Sequence, residues 1–224
     1  MLATLDVRFE SLSYTAKFTH PPFELWGKGG MMVRGIYEAL APYNITLQNI
    51  QLSSAMATGA DTVFTVQIGT TILKFSFQQI EITFSRFSED EFRGIPKFLQ
   101  LSTSWLGEGF QFASHQATYF SHSFLKEITT DDFLRTINPK PIKSAGIDLG
   151  SGAVFHRAIP EKSWITQLTV DKSQGIPGAL FIGLSISIGG GKLDYESVLG
   201  DGMEYFRNAL GDLGLILPEL AEKP

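Results

Sequence analysis

The hydrophobic pattern of this chain passes through the same order of elements twice, strand, helix, three strands, helix, at a spacing of about 105 residues. In the first pass, Leu5 to Thr19 alternates apolar and polar side chains as a half-buried strand does, with Val7 and Phe9 on one parity and Leu12, Tyr14, Ala16 and Phe18 on the other. Successive strand residues point to opposite faces, so this change of parity predicts a bulge or bend between Phe9 and Leu12. Pro21-Pro22 end the strand, because proline has no N–H for the ladder. Met32, Val33, Ile36, Tyr37 and Leu40 then follow helical spacing over Met31 to Leu40, closed by Pro42. Three strands are expected near Ile45–Ala55, Thr62–Ile68 and Thr71–Phe87, the third with a second parity change at Gln78-Gln79. Ser88-Glu89-Asp90-Glu91 has the spacing of a capping box, and Phe92, Ile95, Leu99 and Leu106 line the helix it starts. Pro96 is expected to tilt that helix or delay its start.

The second pass opens with a strand over Gln111 to Leu125, and Thr130-Asp131-Asp132 begins a short helix carrying Phe133, Leu134 and Ile137. Strands near Ala153–Ile159, Trp164–Val170 and Ala179–Ile188 precede a last helix, Asp194 to Gly214, with Leu199, Met203, Phe206, Leu210 and Leu213 on one stripe. In the last strand Leu180, Ile182, Leu184, Ile186 and Ile188 face one way and Gly183, Ser185, Ser187 and Gly189 the other, so either something packs closely on the small side or that side meets water. The fold class expected is α+β: two similar modules, residues 1–107 and 108–224, each a mostly antiparallel sheet with helices packed on one side. They join near residues 107–111, as separate units or as one continuous domain.

Composition narrows the function classes. With 43% hydrophobic residues and 18 Phe, the chain has ample material for a core. Its charge of −5 is evenly spread: residues 1–110 carry 8 basic and 10 acidic side chains, and residues 111–224 carry 10 and 13. Nucleic-acid binding is not expected, because it rests on clustered cations that neutralise phosphates. Cysteine is absent, which removes disulfides, thiol nucleophiles and thiolate metal sites. The opening residues MLATLDVRFE lack the pattern of a secretory signal and no run matches a membrane span, so a soluble, cytoplasmic protein is expected.

No motif commits the chain to a chemistry. His20, His115, His122 and His156 show neither the i, i+4 spacing of a helical zinc site nor an HExxH element, and His115 and His122, seven apart in one strand, should face opposite sides. No serine sits in a GxSxG elbow. Glu89/Glu91 and Asp131/Asp132 fall at helix starts, where they complement the dipole. Gly189-Gly190-Gly191-Lys192 could offer amides and an ammonium to an anion, but it lacks P-loop spacing and Asp194 would occupy the helix donors, so a flexible turn is expected. Ser144-Ala145-Gly146-Ile147-Asp148-Leu149-Gly150-Ser151-Gly152 resembles the first phosphate loop of the actin and sugar-kinase superfamily, which implies an aspartate near a nucleotide's metal. The resemblance ends after these nine residues, with too little chain following for that family's second loop, so a turn into the next strand is the reading here.

Trp105 and Trp164 are read as core residues. Trp26, after Pro21-Pro22-Phe23 and before Gly27, Gly29 and Gly30, is the candidate for an exposed partner contact or a plug over the sheet. The function expected is a non-enzymatic protein-binding or assembly module whose partner is a protein, itself included, with no cofactor and no metal. The alternatives are a binder of an apolar small molecule between sheet and helices, and an enzyme whose site leaves no sequence signature.

Overall fold

The computed structural model describes residues 2–22, 29–52, 62–106, 110–137 and 152–218. Trp26, the 144–151 part of the glycine-rich resemblance, and the junction at 107–109 lie outside them. Among the described residues the fold is α+β, with four α-helices and a sheet of ten strands. In chain order these are β1 (Ala3–Phe18), α1 (Gly29–Ala39), β2 (Ile50–Leu52), β3 (Thr62–Ile68), β4 (Thr71–Ser76), β5 (Gln79–Ser85), α2 (Glu89–Ser104), β6 (Phe112–Leu125), α3 (Thr130–Ile137), β7 (Ala153–Ile159), β8 (Trp164–Lys172), β9 (Leu180–Gly189), α4 (Tyr195–Asp212) and β10 (Leu215–Ile216).

The strand order is β2-β3-β4-β5-β1-β6-β9-β8-β7, antiparallel throughout, and the two-residue β10 adds in parallel to the start of β1. The long strands β1 and β6 form the centre, paired from Leu5↔Leu125 to Phe18↔Phe112. Between Val7↔Ser123 and Phe9↔His122 the register shifts, leaving Arg8 as the extra residue of a bulge. The bulge lies ahead of the Phe9–Leu12 stretch where the parity change placed it, so Val7 and Phe9 face opposite sides: Ala3 and Leu5 are buried before it, and Leu12, Tyr14, Ala16 and Phe18 after it.

All four helices cover one face. Phe84 meets Phe98 of α2, Tyr119 meets Phe206 of α4, and Met32, Ile36 and Leu40 of α1 are buried in the same core. The ion pair of Lys172 with Asp131 places α3 on that face too, since Lys172 shares the parity of the buried Trp164, Leu168 and Val170. Trp164 is buried as expected of a core tryptophan, whereas Trp105 is half-buried, packed on Phe64 and Phe75 at the edge of the core. The capping box is present, with Ser88 Oγ accepting from Glu91 N and Glu91 reaching back to Ser88 N at 2.7 Å. Asp194 caps α4 by accepting from the N–H groups of Glu196 and Ser197.

Three expectations are corrected. Thr71–Phe87 is a hairpin of two strands, because the parity change is a reversal at Phe77-Gln78. Ser76 Oγ accepts from Gln78 N and Gln79 N there, supplying turn chemistry without glycine or asparagine. The strand expected over Ile45–Ala55 spans Ile50–Leu52 among the described residues, since Thr46 and Asn49 cap a short 3-10 turn ahead of it. Pro96 does not delay the start of α2, which begins at Glu89.

Candidate functional site

On the helix-covered face, two polar clusters sit in the core. His115 Nε2 lies 2.8 Å from the Gly191 carbonyl, which can only accept, so the ring proton is on Nε2. Nδ1 then accepts from the Tyr14 hydroxyl at 2.6 Å, and Tyr195 Oη stands 3.3 Å from both Tyr14 Oη and Thr103 Oγ1. Desolvation outweighs the Gly191 carbonyl and holds the imidazole below its ordinary pKa, while burial and the neighbouring Tyr195 push the Tyr14 hydroxyl up. The chain of bonds ties β1, β6, α2 and α4 together with every member neutral, which is the arrangement of a structural network.

The second cluster pairs Glu10 with Tyr119, whose hydroxyl donates to the carboxylate at 2.9 Å. Burial pushes the Glu10 carboxyl above its ordinary value of 4.5, against the smaller opposing effect of the Tyr119 hydroxyl. A carboxyl raised on folding contributes stability that is fully present below its unfolded pKa and lost as pH rises through the folded one. Glu10→Gln keeps an acceptor for Tyr119 and removes the charge. Its stability in urea is therefore expected to match wild type near pH 4 and to exceed it by a widening margin toward neutral pH. A difference independent of pH would show that the folded carboxyl titrates normally.

Neither cluster opens into a substrate-sized space. The void beside Tyr119, lined by Leu12, Phe92, Leu184, Met203 and Phe206, measures about 20 Å³, room for about one water. That void is too small for a ligand, and a wider, open hollow of about 920 Å³ lies at the α3 end, lined by Phe124, Thr130, Asp131, Lys172 and Pro177. Among the described residues no group of three or more His, Asp or Glu could hold a metal, and no helix is long and apolar enough to cross a membrane.

Among the described residues no helix covers the opposite face. Its rows run across the strands as Lys74, Glu81, Thr15, Gln116, Ser187 and then Ile72, Thr83, Ser13, Thr118, Ser185, Gln167, mostly small polar side chains suited to water. The small side of β9 is thus the open side, with Ser187 and Gly189 exposed. At the bulged end the character changes. Phe9, Phe120, His122 and Phe181 are each half-buried, with neighbouring ring centroids 5.4–6.1 Å apart. Gly183 makes this possible, since a Cβ there would lie 3.2 Å from the Phe181 ring folded over it. Phe181 shares the parity of Gly183 and Ser185, and that odd large residue on a small face was the signal for the cluster. It was missed because its partners come from β1 and β6.

The sheet also ends differently on its two sides. The outer side of β3 is paired by β2, whereas β7 has no strand on its outer side among the described residues, and its Val154, His156, Arg157 and Ala158 are exposed.

The residues singled out in sequence are not brought together. His115 and His122 face opposite sides as expected, and His156 is on the outer strand. Asp132 bonds Thr129 and Arg135, and Asp131 pairs with Lys172, so these acids serve the start of α3. The Gly189–Lys192 turn is pinned rather than flexible, because Gly191 N donates to the Phe112 carbonyl and Gly191 O accepts from His115. No protein-family model matches this sequence, and no curated protein matches it, so function rests on the geometry itself.

Proposed function

We propose that this chain is a non-enzymatic assembly module of two similar halves, residues 1–107 and 108–224, which associates with a second copy by pairing β7 across a two-fold axis. Support for the halves comes from strand order. Outward from the centre, β1-β5-β4-β3 in one half matches β6-β9-β8-β7 in the other, with a helix after the first strand and another after the last. By that correspondence β7 occupies the place of β3.

The observation that carries the assembly reading is the difference between them: β3 is covered by β2, and β7 has no such cover among the described residues. A seven-residue open strand presents a row of N–H and C=O groups, and antiparallel pairing with its own copy satisfies them on both sides through one isologous contact. Val154, 51% exposed, and Ile165, 64% exposed, lie on the uncovered face beside this edge, where a neighbouring copy's side chains would shield them.

Light scattering across concentration tests the reading. Wild type is expected to approach twice the chain mass at tens of micromolar. Val154→Lys with Ala158→Lys, both at exposed positions, is expected to stay monomeric with an unchanged melting temperature, because like charges meet across a central antiparallel register. A monomeric wild type, or a dimer that the lysines leave intact, rejects it.

A further inference from the structure

We propose that the bulged end of the uncovered face binds a small planar organic anion, an aromatic ring bearing a carboxylate, on Phe9, Phe120, His122 and Phe181, with the Arg86 guanidinium as its counter-ion. The aromatic floor is the first ground. These rings stand on a face whose central rows are mostly small and polar, and they stay half-buried instead of joining the core beneath. Clustered at 5.4–6.1 Å, they offer a flat apolar surface that accepts another ring by stacking or edge contact.

Arg86 is the second ground. It follows β5 with φ of +56°, a left-handed conformation in which glycine would be the unstrained choice. Its N–H donates to the Glu10 carbonyl, which fixes the backbone so that the guanidinium lies over Phe9, 5.9 Å from the ring centre. That guanidinium is exposed and has no acidic partner among the described residues. A cation kept at a strained position, without a carboxylate, at the border of an aromatic patch is placed to meet an anion from outside.

His122 supplies the third. Ser173 Oγ accepts from Ile176 N and lies 2.7 Å from His122 Nδ1, which holds the imidazole in place at the edge of the rings. Nε2, the other ring nitrogen, has no hydrogen-bond partner among the described residues. Asp6 is engaged by Arg8, Glu10 accepts from Tyr119, and Asp171, the cross-strand neighbour of Phe181, accepts from Lys172 N. Donors at the edge of a ring-lined surface recognise an oxyanion attached to a flat apolar body, and neither part alone suffices.

Titration calorimetry with 2-naphthoate, 2-naphthamide and cyclohexanecarboxylate tests the site. The Val154→Lys/Ala158→Lys protein is used beside wild type, so that the result stands whether or not β7 pairs. Saturable 2-naphthoate binding is expected in both, with the neutral amide and the non-aromatic acid each weaker by about tenfold or more. Arg86→Gly relieves the left-handed backbone, so its melting temperature should equal or exceed that of wild type while its 2-naphthoate affinity falls by about tenfold. Equal affinity for naphthoate and naphthamide, undiminished binding by Arg86→Gly, or no saturable binding to wild type overturns the proposal.

Discussion

Replacing Phe206 by alanine is expected to lower the melting temperature by roughly 6–20 °C, the shift that about 3–5 kcal/mol produces in a chain of this size. Phe206 is 1% exposed and sits edge-on against Tyr119, ring centres 4.8 Å apart. It belongs to the stripe Leu199, Met203, Phe206 and Leu210 that fastens α4 to the sheet. Gly200, Gly202 and Gly211 each weaken that helix by about 1 kcal/mol relative to alanine, so packing must supply most of its stability. The void of about 20 Å³ already beside the ring would merge with the space left behind, and the sheet below is too well paired to collapse into it. Ile165→Ala, on the uncovered face, should change stability by no more than about 0.5 kcal/mol. A Phe206→Ala protein that melts like wild type but changes its state of association would mean that this side of α4 serves a partner.

The elements whose signals are local were legible in the sequence. Caps at Ser88 and Asp194 needed a few neighbouring residues, and the α4 stripe needed 3.6-residue spacing. The bulge at Arg8 left its mark because one extra residue reverses the buried parity from Leu5 to Leu12. The hairpin at Phe77-Gln78 left the same mark and was misread, since a parity change does not distinguish an extra residue from a reversal when a serine hydroxyl makes the turn. The aromatic site was illegible for a different reason. Phe9, Phe120 and Phe181 become neighbours through the β1–β6 and β6–β9 registers, and no local pattern encodes which strands pair. Arg86 gave no warning either, because a left-handed arginine has no compositional signature.

Gly190→Ala is expected to destabilise the protein by about 2–5 kcal/mol, combining backbone overlap with the loss of buried hydrogen bonds. A Cβ at this position would fall within the contact radius of the Phe112 carbonyl oxygen and lie 2.8 Å from that of Ala113. Both obstacles are main chain of β6, so no side-chain rotation relieves them, and the β9–α4 connection must move away. Moving it breaks the bond from Gly191 N to Phe112 O and takes the Gly191 carbonyl away from His115. The imidazole would then keep a buried N–H without an acceptor while Nδ1 still holds Tyr14. Thermal unfolding of Gly190→Ala beside Gly189→Ala separates this account from general loop sensitivity, because a Cβ at Gly189 meets nothing within 4 Å. Equal melting temperatures for the two variants would show that the turn is as free as its glycine run suggests; a large loss confined to Gly190→Ala would show that the run exists to bring one residue against the central strand.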